Sequence, residues 1–223
     1  MPYKYETHLH TFEASACATS NGAAMADAHK KAGYTGIIVT DHFFNGNTAI
    51  PNDLAWEERV ERFCMGYENA KRRGDEIGLQ VFFGWEFNYD STEFLTYGLD
   101  KKWLLEHPEI LSMKYPDYQK LVKSCGGFLV HAHPFRERWY IPKLVLVPEY
   151  TDAVEIYNDG NDMEVFNERA KWYAESFNLP FTAGSDIHNV NGINGVGIES
   201  EKRFDSIHDY IDAVKNRQLT IIR

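Results

Sequence analysis

Gly36-Ile37-Ile38-Val39-Thr40-Asp41-His42 is an unbroken apolar run, rich in β-branched side chains, that ends in an acid and a histidine. β-branched residues are stiff at χ1 and pack well in strands. A run without polar alternation predicts a strand buried on both faces, as in a parallel sheet. The pattern recurs on either side. Residues 3–10, 79–86, 128–131 and 181–185 read as strands that end in, or lead into, His8-Leu9-His10, Glu86, His131-Ala132-His133 and Asp186-Ile187-His188. A further strand is expected at 153–157, with weaker ones at 93–98 and 219–222. Between them lie helical stretches at 23–32, 56–77, 116–124, 162–177 and 206–216, the first three followed by Gly33, Gly78 and Gly126-Gly127. Glycine supplies the left-handed conformation that ends a helix.

Repeated strand–helix units imply α/β architecture, a parallel sheet and right-handed crossovers. Six or seven such units in 223 residues predict a small closed or nearly closed barrel, with residues 1–223 as one domain. In such folds functional residues gather at the carboxyl ends of the strands. The Gly/Asn/Pro-rich loops 45–53 and 189–197 each follow a cluster and are expected to rim the site.

Composition narrows the function. Hydrophobic content is 43% and charged content 25%, with a net charge of −10. No apolar run approaches the ~20 residues that span a bilayer, and the first residues show no signal-peptide core. A cytoplasmic location and no membrane partner are therefore expected. Cys17, Cys64 and Cys125 form no CxxC pair, which argues against a disulfide framework or a zinc ribbon. An acidic chain does not suit a nucleic-acid surface. An anionic small substrate stays open, because bound cations would reverse the local field.

Residues i and i+2 of a strand share a face. His8 with His10, His131 with His133, and Asp186 with His188 are thereby expected to converge. With His42, six of the nine histidines fall in the strand-end clusters; His29, His107 and His208 read as surface residues. Imidazole mixed with carboxylate suits zinc, manganese or iron rather than calcium, and Glu86 is the natural bridging carboxylate. Each piece alone has an ordinary reading: a histidine pair in a strand, Asp41-His42 as a helix cap, Glu86 as an exposed strand end. A buried strand leading straight into two histidines is costly without partners, and five clusters at strand ends favour a metal site. The neighbouring aromatics Phe43, Phe44, Trp85, Phe87, Tyr89, Phe135, Trp139 and Tyr140 read first as packing and second as a stacking wall for a substrate ring.

The ordered series His-x-His-Thr at 8–11, Thr-Asp-His at 40–42, Glu86, His133-Pro134 and Gly-Ser-Asp-x-His at 184–188 resembles the PHP (polymerase and histidinol phosphatase) superfamily over almost the whole chain. The resemblance implies a distorted, seven-stranded (β/α)7 TIM-like barrel. It implies two or three divalent metal ions (Zn, Mn or Fe) at the carboxyl face, and hydrolysis of phosphate esters by hydroxide generated there. Carried over by residue, His8, His10, Glu86 and Asp186 hold one metal, Glu86 and His133 a second, and His42 and His188 belong to a third.

Two departures stand out. The family often has an Asp or His soon after the first motif, where this chain offers Glu13 and Cys17. It also often has a histidine near the fourth strand, where this chain has Phe94-Leu95-Thr96-Tyr97; His131 is the candidate to fill that gap. A small phosphorylated metabolite or nucleotide is the expected substrate, with Arg136 as phosphate clamp and Arg138 second. Asp186 and His188 are the candidates to handle protons. One rival is an amidohydrolase-type metal hydrolase, a class that typically bridges its metals with a carboxylated lysine where this chain has Glu86. The other is a non-catalytic metal-binding regulatory domain, against which the near-complete ligand set weighs. Oligomer formation is compatible with the sequence.

Overall fold

A computed structural model describes residues 2–223. Along the chain run β1 (Tyr3–Leu9), α1 (Gly22–Lys31), β2 (Gly36–Val39), α2 (Trp56–Ile77), β3 (Gln80–Tyr89), β4 (Thr92–Tyr97), α3 (Lys101–Glu106), α4 (Tyr115–Ser124), β5 (Phe128–Ala132), β6 (Ala153–Asn158), α5 (Glu164–Ser176), β7 (Phe181–Gly184), β8 (Gly197–Ser200), α6 (Ile207–Lys215) and β9 (Leu219–Ile222). Helix stops fall where glycine allows a positive φ: Gly33 at 83°, Gly78 at 71° and Gly126 at 86°.

The strands form one sheet of nine among the described residues, in the order β7-β6-β5-β4-β3-β2-β1-β8-β9. It curls until the segment after β7 meets β1. There His10 N donates to Ile187 O at 2.9 Å and Ile187 N to His8 O at 3.3 Å, which nearly closes a barrel. Glu6 staples the same seam. Its buried carboxylate accepts from Ser185 N at 3.0 Å and Ser185 Oγ at 2.5 Å. Burial pushes Glu6 up to about 7, and these hydrogen bonds pull it the other way.

The expected all-parallel (β/α)7 arrangement gives way to a mixed sheet. β4 runs antiparallel between β3 and β5, and β8 and β9 extend the sheet beyond β1 as antiparallel strands. The cause at β4 is local. Asp90 and Ser91 have φ of 53° and 69°, the two left-handed residues of a tight hairpin turn whose twist matches the flanking strands. No helix intervenes, so β3 reverses directly into β4. β8 was hidden in a Gly/Asn-rich stretch. A Cβ on Gly197 would lie 2.2 Å from Tyr5 O, so this glycine serves close strand approach rather than loop freedom.

Side chains sort by strand face. Trp85, Phe87, Phe94 and Leu129 point outward to Phe63, Trp103 and Tyr118 beneath the helices. Tyr5, Ile38, Leu95 and Val130 join Tyr210, Ile211 and Val214 of α6 in the other cluster, toward the amino ends of the parallel strands. Most aromatics beside the motifs are therefore packing, as their first reading held; Trp139 and Tyr140 are exposed. His29 is corrected: it is fully buried on α1, its Nδ1 donates to Met25 O at 2.8 Å, and burial lowers its pKa to about 4. Its spacing from Met25 and Ala26 puts it on the packed face of the helix. His107 is half-buried and His208 exposed. No described helix is long and apolar enough to cross a membrane.

α2 packs directly on the loop after β1. A Cβ on Gly66 would sit 2.0 Å from Thr11 Oγ1 and 3.1 Å from Asp41 Oδ2. Gly66→Ala improves helix propensity by about 1 kcal/mol. It is nevertheless expected to lower stability by about 1–3 kcal/mol, because α2 must shift or the Thr11–Asp41 contact must break. A urea midpoint below that of the wild type supports this packing; an equal or higher midpoint contradicts it.

Candidate metal centre

Three histidines are held in one tautomer by their neighbours. His8 Nδ1 lies 3.0 Å from Glu155 Oε1 and donates to that carboxylate. His10 Nδ1 lies 3.2 Å from Ser15 Oγ. The Ser15 hydroxyl already donates to Asp41 Oδ1 at 2.7 Å and accepts from His42 N at 3.0 Å, so towards His10 it can only accept. His188 Nδ1 donates to Asp186 O at 2.7 Å. Each ring thereby turns its Nε2 toward the centre, the arrangement that orients metal-ligating histidines.

Carboxylates and two further imidazoles complete the cluster. Backbone bonds between the end of β2 and β3, Glu86 N to Asp41 O at 3.0 Å and Phe43 N to Glu86 O at 2.8 Å, set His42 beside Glu86. His133 Nε2 is 3.1 Å from Glu86 Oε1, and Asp186 Oδ1 is 3.0 Å from His10 Nε2. His133 and Asp186 both have positive φ, 28° and 56°. Such backbone is unfavourable for non-glycine residues and collects at functional sites. At His133 it breaks strand alternation and swings the ring inward.

Four groups of three side chains bring their ligand atoms within 4.8 Å of one another: His10/His42/His188, His8/His133/Asp186, His8/His10/Glu86 and His42/Glu86/Glu93. Among the described residues, His8 Nε2, His10 Nε2, His42 Nδ1 and Glu86 Oε2 are buried without a hydrogen-bond partner. His42 Nδ1 and Glu86 Oε2 approach to 2.7 Å, yet their alignment is not that of a hydrogen bond. Atoms aimed at a common third centre sit in this way. A buried polar group left unpaired costs about 1–3 kcal/mol, and here four lie in one cluster with a nitrogen and oxygen donor set. The residues fit divalent cations.

Charge tells the same story. Burial opposes ionisation of Glu86 and Asp186, but His8 and His42 beside the former, and His8 and Arg136 beside the latter, hold both well below the usual carboxylate range. Burial disfavours charge on His8 too, yet Glu155, Asp186 and Glu86 raise it well above the ordinary imidazole value. Burial, with His42 and His188, drives His10 well below it. Protons on His8 and His42 offset the buried carboxylates, a role that a divalent cation would take over.

The structure thus gathers His8, His10, His42, Glu86, His133, Asp186 and His188. It separates four other candidates. His131 pairs with Phe94 across β4–β5, on the face opposite Glu93 and its partner Ala132. There it stacks on Phe94, and its Nε2 meets Thr92 Oγ1 at 2.9 Å. Burial pushes its pKa down to about 3. His133 lies past the strand end, so the i, i+2 periodicity does not reach it. Glu13 turns to α1, accepting from Gly22 N at 3.1 Å and Asn69 Nδ2 at 3.0 Å. Arg136 is buried inside the protein, with Nη1 on Asp186 Oδ2 at 2.6 Å, Nη2 on Asn158 Oδ1 at 2.6 Å and Nε on Asn161 Oδ1 at 3.0 Å. It holds Asp186 instead of standing free as a clamp. Arg138 pairs with Asp162 and Gly160 O.

Two carboxylates escaped the sequence reading. Glu155 orients His8 and also accepts from His133 N at 3.0 Å; a lone acid in an apolar strand was its signal. Glu93 lies opposite Asn88 in the β3–β4 register, on the same face as Glu86, and only the hairpin reveals this. Burial and the charge of Glu86 raise its pKa. The Cys17 thiol lies within reach of His188 and His42. Burial raises its pKa, but hydrogen bonds to these two rings outweigh burial and bring it to about 6.

A family model described as PHP-associated matches residues 165–219. No curated protein matches the chain. Solved structures share the fold. A two-domain protein from Bacteroides vulgatus ATCC 8482, proposed to contain a PHP-like metal-dependent phosphoesterase, aligns with TM-score 0.74 and 15% identity over 100% of this chain. The chain spans only 65% of that protein. A proposed metal-dependent phosphoesterase from Bifidobacterium adolescentis ATCC 15703 aligns with TM-score 0.57 and 17% identity, covering 99% of each chain. An amidohydrolase from Chromobacterium violaceum, solved with sulfate and no metal, aligns with TM-score 0.60 and 13% identity over 98% of each. The chain is thus similar to PHP-type proteins in the matched segment, in the fold and in the order of its motifs.

If Glu155 orients His8, Glu155→Gln should weaken divalent-metal affinity by about 10–100-fold while the protein stays folded. Competition with a chromophoric chelator measures this; unchanged affinity would contradict the orienting role.

Proposed function

We propose that this chain is a metal-dependent phosphoric ester hydrolase acting on a small phosphorylated metabolite or nucleotide, with residues 1–223 as one PHP-type domain. The observation that carries the reading is the gathering of unpartnered, buried donor atoms in one cluster at the carboxyl ends of the strands. His8, His10, Glu86 and Asp186 would hold one cation, and Glu86, Glu93 and His133 a second. His42 and His188, with His10, would hold a third. When bound, divalent cations supply Lewis acidity, neutralise charge on phosphoryl oxygens and make water more acidic at neutral pH.

The remaining work falls to the chain. Arg136 keeps Asp186 ionised and oriented through its 2.6 Å bond. Glu155, Ser15 and the Asp186 carbonyl keep protons on the outer nitrogens, leaving each Nε2 to face substrate and cation. His188, at 28% side-chain exposure, is more open than His8, His10, His42 or His133 and is placed to hold or pass a proton at Nε2. The exposed Trp139, on the segment after His133, offers a face to a ring in the leaving group. An amidohydrolase reading draws only on the name of the Chromobacterium neighbour. Glu86, not lysine, stands at the bridging position, and the sulfate in that neighbour resembles a phosphoryl group.

With Mn²⁺ or Zn²⁺ present, the wild type should release phosphate from an aryl phosphate. His10→Ala and Asp186→Ala should lose more than about 100-fold of that activity, beyond the loss expected for an outer partner. Full activity in either variant would show that the reaction occurs elsewhere. A second outcome concerns Trp139. Trp139→Ala should raise KM about five-fold or more for a ring-bearing phosphate, the scale of one stacking contact, and leave a small alkyl phosphate unchanged. Equal changes for both substrates would remove Trp139 from recognition.

A further inference from the structure

The two ends of the cluster differ in donor chemistry. His10, His42 and His188 form an all-imidazole group. At the other end Glu86 and Glu93 meet His42, and Glu93 Oε2 lies 3.5 Å from His133 Nε2. Glu93 Oε1 stands 3.7 Å from His42 Nδ1, too far for a hydrogen bond. Hairpin register puts Glu93 on the face of Glu86. Independently of the two carboxylates, the His42 Nδ1 atom is buried, unpartnered and aimed into this end.

Carboxylates suit hard cations such as Mn²⁺, and imidazoles suit borderline ones such as Zn²⁺. Zn²⁺ binds more tightly than Mn²⁺ at any one site of this kind, so discrimination must come from the difference between the two ends. We infer that Glu93 makes its end an oxygen-rich seat for Mn²⁺ while the imidazole group takes Zn²⁺, so that the two ends of the centre hold different cations. This rests on the reading of the cluster as a metal centre and adds which cation each end selects.

The test uses the whole chain, stripped of metal, loaded with one equivalent of Zn²⁺ and titrated with Mn²⁺, with free Mn²⁺ followed by electron paramagnetic resonance. The wild type should bind at least one further equivalent of Mn²⁺. Glu93→Gln should weaken Mn²⁺ binding tenfold or more and leave the Zn²⁺ equivalent in place. His188→Ala should lose the tight Zn²⁺ and keep Mn²⁺. Glu93→His, with folding checked by circular dichroism, should take a second Zn²⁺ at the expense of Mn²⁺. Mn²⁺ binding indifferent to both Glu93 variants, or lost with His188→Ala, would overturn the inference and leave the hydrolase reading standing. A wild type that takes up neither cation would overturn both.

Discussion

Buried charge that must be neutralised governs this molecule. Glu86 and Asp186 face His8, His10, His42 and His133 where the strands end, almost wholly out of water. Isolated ions in such a place are prohibitively unfavourable. Their mutual pairing is incomplete, since four donor atoms find no hydrogen bond. A fold that merely needed stability would fill this space with apolar side chains, as it does toward the amino ends with Tyr5, Ile38 and Val130.

The surrounding structure serves that constraint. Glu6 closes the barrel seam between β1 and the end of β7, fixing His8 and His10 relative to Asp186. Asp41 gathers Thr11 and Ser15, and Ser15 sets the His10 tautomer. Arg136 and Asn158 link the end of β6 to Asp186. Helix packing reaches the same network at Gly66. Fold stability and site geometry are therefore coupled through short contacts rather than through a distant relay.

Much of this is legible in the sequence. Apolar runs ending in His and Asp gave the strands, and the order of motifs gave seven of the cluster's side chains. What the sequence hid has physical causes. Period-two alternation assumes a regular strand, but positive φ at His133 and Asp186 re-aims both residues, so His131 was wrongly grouped with His133. Glu93 depends on a two-residue hairpin that reverses β4, and such register is a nonlocal property. Arg136 looked like a free cation because its partners, Asn158, Asn161 and Asp186, are 22, 25 and 50 residues away in sequence.

The most direct test of the central claim is anomalous X-ray diffraction from crystals grown with Zn²⁺ or Mn²⁺, collected at the absorption edge of the added metal. The account predicts peaks at about 2.0–2.2 Å from His10 Nε2 and from the Glu86 carboxylate, inside the cluster and nowhere else on the chain at comparable height. An empty cluster in crystals that carry the metal at other surfaces would contradict it.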